Sequence, residues 1–354
     1  MTFLSTQALQ KWPTSKMLCT LSFLAAYTVP AAYAETYDQC LLRGIKSADG
    51  TLTLQALRAQ CLSATGHEAV PADNGKSEEN ENKDLLADRI KSERATRNNP
   101  FTISPHKPNY LLPLSYATSI DHDHWGTDNG NLQGHLSPAE IKFQISIKAP
   151  VATGIFQGKG DLYVAYTNTS WWQAYNIDNS SPFRETNHEP EAFLIFPMHQ
   201  NVFGLNLRAT AVGISHQSNG RAGGLSRGWN RVYANFILEK DNFYMSFKPW
   251  WRIPEKKKEY PGDAEGDDNP DIVDYMGYGE LHFGYKMGDY NLGLMVRNNL
   301  RSENKGAIQL DWTFPINQRF KGYVQYFNGY GESLIDYNDS VSRISAGIML
   351  TDWL

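Results

Sequence analysis

The residues best suited to chemistry in this sequence are a histidine and a serine only two positions apart, His216 and Ser218. They share parity with Val212 and Ile214, and in a β-strand the side chains of residues i and i+2 point to the same face. The two side chains would therefore stand side by side, about 7 Å apart at their Cα atoms. A histidine in that place could take the proton of the serine hydroxyl, which is how serine nucleophiles are activated.

A third group extends this pair on the next predicted strand. Asn230 shares parity with the apolar residues Val232 and Ala234, so it would lie on the same face as His216. A base needs a partner that fixes its tautomer, and beside hydrocarbon a neutral amide does this with less desolvation than a carboxylate. Spacing alone leaves two other interpretations open. A His-x-Ser sequence occurs by chance, and polar residues near strand ends also mark membrane interfaces.

The elements that must position these residues are strands with strict alternation of apolar and polar side chains. In residues 141–149 every odd position is apolar and every even position is polar, and segments 280–286, 308–314 and 344–350 repeat the alternation. Lys, Asp, Glu, Gln and Arg occupy the polar faces. An apolar outer face and a polar inner face are typical of a transmembrane barrel wall.

The number of such segments suggests how the barrel is built. Counting candidate strands from Tyr110 onward gives about twelve, and bacterial single-chain barrels have an even number. The 19 Tyr, 16 Phe and 9 Trp residues suit the aromatic girdles of such a barrel. We therefore predict an all-β fold, a transmembrane antiparallel β-barrel with an N-terminal non-barrel extension. A soluble antiparallel sandwich is the alternative, since its strands also alternate.

The first 34 residues have the parts of a secretory signal peptide. Lys11 and Lys16 form a basic region, residues 17–29 an apolar region, and residues 32–34 an Ala-x-Ala cleavage site. Export of the chain follows from this interpretation. The body of the chain contains no apolar run of helical transmembrane length, which excludes a helical membrane protein. The net charge of −5 gives no support for nucleic-acid binding.

Residues 35–98 differ in composition from the predicted barrel domain at 99–354. This polar extension is rich in Glu, Asn, Lys and Asp and is expected to be periplasmic and partly disordered. It holds Cys40 and Cys61, an even pair in an oxidising compartment, so a disulfide fits the context. Whether the two cysteines are bridged stays open. The charged connection at 256–271 is interpreted as a solvated loop instead of a binding site.

Several motifs resemble the signature of the outer membrane phospholipase A family of Gram-negative bacteria. The two clearest runs are His216-Gln217-Ser218-Asn219-Gly220-Arg221 and Ser226-Arg227-Gly228-Trp229-Asn230-Arg231. The similarity continues in residues 170–173, 180–187, 248–250, 269–272, 275–278 and 329–337. It spans roughly residues 99–354, with order and spacing kept, whereas residues 35–98 carry no such resemblance.

The resemblance implies a twelve-stranded barrel with a Ser-His-Asn triad on its outer surface, near the outer leaflet. By motif match, Ser218 is the nucleophile, His216 the general base and Asn230 its orienting group. Ser218 would attack the ester carbonyl of a phospholipid to give an acyl-enzyme, which water then hydrolyses. The backbone N–H groups of Ser218 and Gly220 are candidate donors to the oxyanion.

The resemblance also implies a calcium-dependent homodimer. The family takes its calcium ligands from the positions that match Arg221, through its carbonyl, and Ser226, with the position of Ser180 supplied by the partner subunit. Without the resemblance, both serines would be interpreted as ordinary loop hydroxyls. Two departures stand out. Gly223 replaces an acid that the family often has, which puts a second calcium mode in doubt, and Asn168 replaces a glutamine of the dimer interface.

The leading hypothesis is therefore a calcium-activated phospholipase of the outer membrane with its active site toward the cell-surface leaflet. It would cleave acyl esters at either glycerol position, with lysophospholipids as a further substrate class. Two alternatives from other classes remain. One is a catalytically silent barrel that acts as a pore or structural protein, and the other is a soluble exported esterase.

Overall fold

The structure is a computed structural model. It describes residues 40, 42–45, 56, 57, 60, 61, 102–118, 120, 136–260, 263, 265–317 and 320–352. The predicted signal peptide lies outside the described residues, as does most of the 35–98 extension. The chain divides into two units, residues 1–79 and 80–354. In the first unit a disulfide joins Cys40 to Cys61, with the Cα atoms 5.6 Å apart. Both half-cystines pack with Leu57 in a small buried cluster.

The second unit is built from antiparallel strands. The described residues contain β1 (Ser104–Pro105), β2 (Asn109–Ala117), β3 (Ala139–Gly154), β4 (Gly160–Trp172), β5 (Phe183–Val202), β6 (Leu205–Ser218), β7 (Gly228–Lys240), β8 (Phe243–Ile253), β9 (Gly279–Met287), β10 (Tyr290–Asn298), β11 (Gly306–Pro315), β12 (Lys321–Tyr330) and β13 (Ser340–Thr351). Two short helices, α1 (Ile155–Gly158) and α2 (Ile272–Met276), and two 3₁₀ turns, Ile177–Asn179 and Gly223–Leu225, lie in the connections.

Each strand from β2 to β13 pairs with its neighbours in the sequence, and the last strand, β13, returns to pair with β2. Pairing of β3 with both β2 and β4 completes the circle. The two-residue β1 lies end to end with β2 along β3, so twelve of the thirteen strands form the closed wall. The predicted barrel is confirmed. Among the described residues, no helix is long and apolar enough to cross a membrane.

The alternation of β3 becomes the two faces of the wall. Lys142 and Lys148 are buried in the lumen, whereas Ile145 is 54% exposed on the outer surface. Alternation with a period of two separates polar from apolar residues in this way because successive side chains of a strand point to opposite faces. The apolar residues therefore meet the membrane, and the polar residues must find partners inside the barrel.

The lumen provides those partners as buried ion pairs. Arg184 contacts Glu140 at 2.7 Å through Nε and Asp336 at 2.5 Å through Nη1. Arg343 in turn contacts Glu140 at 2.7 Å and Glu332 at 2.8 Å. A buried charge is tolerated only where it is paired and hydrogen-bonded. These five side chains therefore form one connected network inside the barrel.

An apolar cluster occupies part of the interior near the loops that follow β6, β8 and β12. Trp229 and Trp250 pack edge to face there, with ring centroids 6.0 Å apart. Ile272 of α2 is fully buried in the same cluster, together with Leu334 of the β12–β13 connection. These contacts fold the long connections onto the barrel end that carries the candidate site.

Candidate active site

The end of β6 and the start of β7 place the three predicted triad residues close together. In the register of these strands His216 lies opposite Asn230, and Ser218 lies opposite Gly228. Val212 and Ile214, which share parity with His216, are 46% and 57% exposed, whereas the intervening Ser215 is buried. The triad residues are thus on the outer surface of the wall, as strand parity predicts.

His216 and Asn230 form a direct hydrogen bond, with 2.9 Å between Nδ1 and Oδ1. The amide oxygen can only accept, so the imidazole donates from Nδ1. A neutral histidine with its proton on Nδ1 has a free lone pair on Nε2. This is the protonation state that a general base needs.

Ser218 shares the outer face with His216 and is half-buried. Among the described residues, the structure has no hydrogen bond between the Ser218 hydroxyl and the His216 ring. Such bonds are often long without substrate and shorten in the reactive complex. The geometry therefore joins His216 to Asn230 directly and brings Ser218 beside them through the shared face.

A second histidine flanks Ser218 on its other side. His188 of β5 is the direct cross-strand partner of Ser218. The hydroxyl of Tyr166 lies 2.6 Å from His188 Nδ1, and the Asn168 amide nitrogen lies 3.4 Å from the same atom. The sequence alone does not point to His188, because only the β5–β6 register brings it beside Ser218.

The backbone after Ser218 turns sharply and is held by one buried side chain. Gly220 has φ +64°, the left-handed conformation that glycine adopts without a steric penalty. Asn219 is 5% exposed, and its amide nitrogen donates to the carbonyl of Leu225 at 2.9 Å. Its amide oxygen accepts from the backbone N–H groups of Arg221 and Arg227. Asn219 thus fixes the loop that carries the predicted oxyanion donors and calcium ligands.

The predicted calcium ligands lie in two different loops. Arg221 and Ser226 belong to the β6–β7 loop, and Ser180 is exposed in the β4–β5 loop with φ +56°. The Arg221 guanidinium is tied to β5 by the Glu185 carboxylate at 3.2 Å and the Arg184 carbonyl at 2.5 Å. In the described part of the chain, no group of three or more His, Cys, Asp or Glu side chains is arranged to hold a metal ion.

One carboxylate does approach the predicted ligands. The Ser226 hydroxyl donates to Asp268 Oδ2 at 2.7 Å, and Lys258 Nζ lies 2.5 Å from Asp268 Oδ1. The side chains of Lys258 and Asp268 are only 15% and 18% exposed. The prediction of a merely solvated 256–271 loop was therefore wrong for these residues. The loop packs against the β6–β7 loop because the Ser226–Asp268 hydrogen bond joins the two, while the Lys258–Asp268 ion pair holds Asp268 in place within its own loop.

A further carboxylate touches the triad itself. The Asn230 amide nitrogen donates to Glu255 Oε1 at 3.0 Å. Glu255 follows Ile253, the cross-strand partner of Asn230 at the end of β8. The β7–β8 register could have suggested the contact between Asn230 and Glu255. In the sequence, Glu255 is just one of several charged residues in its segment.

This chain is similar to known proteins of one family. A family model described as phospholipase A1 matches residues 86–350. The phospholipase A1 of Escherichia coli strain K12 is 39% identical over 254 residues, which cover 72% of this chain and 83% of the relative. The phospholipase A1 of Klebsiella pneumoniae is 38% identical over 254 residues, with 72% and 84% covered.

Two solved structures resemble the fold closely. Outer membrane phospholipase A from Escherichia coli superposes with a TM-score of 0.66 at 37% identity, covering 73% of this chain and 95% of that one. The outer membrane phospholipase dimer of Salmonella typhi, determined with bound calcium, superposes with a TM-score of 0.65 at 37% identity. That match covers 72% of this chain and 94% of the other.

Proposed function

The chain belongs to the phospholipase A1 family, and from this membership we propose a calcium-activated hydrolysis carried out by Ser218, His216 and Asn230. The family and the barrel make the protein a phospholipid ester hydrolase of the outer membrane. The observation that carries the finer proposal is the His216–Asn230 hydrogen bond on the outer wall, two residues from Ser218. A pair placed on this face meets the acyl chains of the bilayer.

The reaction begins when Ser218 Oγ attacks the ester carbonyl while Nε2 of His216 takes the hydroxyl proton. Negative charge develops on the carbonyl oxygen, where the N–H groups of Ser218 and Gly220 are the proposed donors. His216 then gives the proton to the leaving alcohol, and the acyl group stays on Ser218. Water, deprotonated by His216, hydrolyses this acyl-enzyme. Esters at either glycerol position and those of lysophospholipids suit the same steps.

Calcium fits the donor chemistry around the β6–β7 loop. Calcium prefers oxygen ligands, and the Arg221 carbonyl and the Ser226 hydroxyl supply them beside the carboxylate of Asp268. A bound Ca²⁺ ion would add positive charge close to the oxyanion donors. Gly223 offers no side-chain oxygen, so we do not propose a second calcium mode that uses this position.

A homodimer would complete the calcium site, because Ser180 lies in a different loop from Arg221 and Ser226. We propose that a second copy contributes its Ser180 hydroxyl. The calcium-bound dimer of the Salmonella typhi relative supports this arrangement. Asn168 lies on β4 beside His188 and keeps an amide where the family has a longer one at the interface. We therefore expect dimerisation with altered strength.

The lengths of the connections support a direction for the proposed active site. The triad lies at the barrel end where β6 and β7 are joined by residues 219–227. At the opposite end, β5 and β6 are joined by residues 203–204 and β7 and β8 by residues 241–242. Bacterial barrels have short periplasmic turns and longer outer loops. This asymmetry supports an active site toward the cell-surface leaflet.

The two alternatives fit the structure less well. A pore needs an open lumen, but ion pairs such as Arg184–Glu140 and an aromatic cluster occupy this one. A pore or structural barrel also gains nothing from His216 and Asn230 on a face where polar groups are unfavourable. A soluble esterase would not expose residues such as Ile145 and Ile214 in rows along its wall.

The test is calcium-titrated release of fatty acid from detergent-solubilised phospholipid, with the monomer–dimer state followed in parallel. Ser218→Ala should lower the calcium-dependent rate by about a thousandfold or more. Its heat-dependent gel mobility should match that of the wild type, which controls for folding. Unchanged hydrolysis by this variant would refute the triad, and full activity of a calcium-free monomer would refute the shared ion site.

A further inference from the structure

We propose that Glu255 is a positioning residue of this active site, which selects the orientation of the Asn230 amide and through it the tautomer of His216. The inference rests on the proposed function, because it assigns a role to a residue that acts on the triad. Three groups form a continuous chain of hydrogen bonds. His216 Nδ1 lies 2.9 Å from Asn230 Oδ1, and Asn230 Nδ2 lies 3.0 Å from Glu255 Oε1.

The reason lies in the ambiguity of an amide beside an imidazole. Asn230 could turn either its oxygen or its NH₂ group toward His216, and a neutral imidazole could satisfy either one by changing its tautomer. If the NH₂ group faced His216, Nδ1 would accept and the proton would reside on Nε2. His216 could then not take the proton of Ser218. The pair alone therefore allows an unproductive state.

A carboxylate removes this ambiguity. Ionised Glu255 can only accept, so it requires a donor, and the only donor on the Asn230 side chain is the amide nitrogen. The NH₂ group is held toward Glu255, and the amide oxygen is left for His216. Nδ1 must then donate, and Nε2 stays free for the proton of Ser218. One carboxylate oxygen thus fixes a proton position two residues away along the hydrogen-bond chain.

The placement of Glu255 also explains how a charged group can serve a site on the outer wall. Glu255 is exposed in the connection after β8, whereas Asn230 is half-buried between its neighbours. A carboxylate in direct contact with His216 would lose hydration beside hydrocarbon. With Asn230 between them, the charge stays in water and only a neutral amide enters the apolar face.

An exposed carboxylate acts mainly through orientation, since solvent screens its charge. Glu255→Ala should therefore lower kcat by about tenfold, as expected for loss of one orienting hydrogen bond, with KM unchanged. Glu255→Gln offers an NH₂ donor as well as an acceptor oxygen, so it fixes the amide only in part and should give a kcat between those of Glu255→Ala and the wild type. Glu259→Ala, which removes an exposed carboxylate from the same loop, is the matched control and should match the wild type.

The tautomer can be observed without any activity measurement. With ¹⁵N-labelled histidine in detergent micelles, the two ring nitrogens of each tautomer give distinct NMR shifts, and His216→Gln identifies the His216 signals. The wild type should show the Nδ1–H tautomer, and Glu255→Ala a mixture of both. An unchanged Nδ1–H tautomer together with unchanged kcat in Glu255→Ala would overturn the inference. Ser218→Ala, assayed alongside, separates this outcome from failure of the proposed function, which would show as retained hydrolysis in that variant.

Discussion

Ser218 lies directly opposite Gly228 across β6 and β7, so the cross-strand neighbour of the candidate nucleophile contributes no side chain on that flank. A Cβ atom added to Gly228 would lie 3.5 Å from the Ser218 Cβ, an ordinary van der Waals distance. On the opposite flank stands the ring of His188. Gly228 therefore leaves space beside Ser218 that a larger side chain would fill, with the Asp268 carboxylate oxygen 3.8 Å from the same Cβ position.

Substitutions of Gly228 should lower activity in proportion to the size of the side chain they introduce. Gly228→Ala should retain most activity, because one methyl group fits at van der Waals contact. Gly228→Val should lower kcat/KM for long-chain phospholipids by about tenfold or more, since its branched side chain covers Ser218. A small water-soluble ester, assayed on the same preparations, should lose less. Equal losses on both substrates would contradict a steric block.

Gly220→Ala tests the backbone of the proposed oxyanion donors. An L-residue at φ +64° is strained by about 1–2 kcal/mol, and relief of the strain would move the Gly220 N–H away from the oxyanion. We expect a fall in kcat of about tenfold or more with little change in KM. Gly204→Ala is the matched control, because Gly204 has φ +83° in the β5–β6 turn at the other end of the barrel. It should lower thermal stability but leave kcat intact.

The proposed shared calcium site predicts a separate measurement for each of its two serines. Ser180→Ala should raise the calcium concentration needed for dimerisation, measured by chemical cross-linking or sedimentation in detergent. Ser226→Ala should also raise the calcium concentration for half-maximal activity, by about tenfold for loss of one ligand. Ser181→Ala is the control, since the Ser181 hydroxyl donates to the Ala174 carbonyl of its own loop. A shift as large in Ser181→Ala would show that the loop fold, and not the Ser180 oxygen, matters.

Acid should destabilise the barrel through Glu332 of the β12–β13 connection. Burial acts to raise the pKa of Glu332, but Arg343 and Lys142 outweigh it and lower the pKa to about 2. A carboxyl group with a lowered pKa stabilises the fold above its unfolded pKa, near 4.3, and this contribution is lost as pH falls toward 2. The free energy of unfolding should drop by about 3 kcal/mol over that range.

Urea titrations in detergent between pH 5 and pH 2 would measure this loss. Glu332→Gln should be less stable than the wild type at pH 5, because Arg343 and Lys142 lose their charged partner. It should also lack most of the decline with acid. Glu259→Gln, in an exposed loop position, should follow the wild-type curve. If Glu332→Gln still lost as much free energy of unfolding between pH 5 and pH 2 as the wild type, other carboxyl groups would be responsible for the loss.

Strand parity was sufficient to predict which side of the wall most site residues occupy. The period of two is a local property, so Lys148 in the lumen and His216 on the outer face could be assigned without knowing any partner. Because β6 and β7 follow each other directly in the sequence, the same parity also predicted that Asn230 would lie near His216. The hydrogen bond between them confirms that expectation.

Contacts that depend on distant parts of the chain could not be predicted in this way. Arg184 and Asp336 are separated by 152 positions, and parity says nothing about their height in the barrel. The 256–271 loop was misjudged for a related reason. Charged residues without periodicity are typical of solvated loops, and only the packed connections show that Asp268 meets Ser226.

If His216 acts as proposed, the outward direction of its side chain also determines how reactants would arrive. Under the proposed function no channel or cleft in the lumen would have to be entered, because a lipid would reach Ser218 by lateral diffusion within its own leaflet. Encounter is then a two-dimensional process. Turnover in vesicles should therefore follow the mole fraction of phospholipid in the leaflet that faces the triad, instead of the bulk phospholipid concentration. Any disturbance that brings phospholipid into that leaflet would supply substrate.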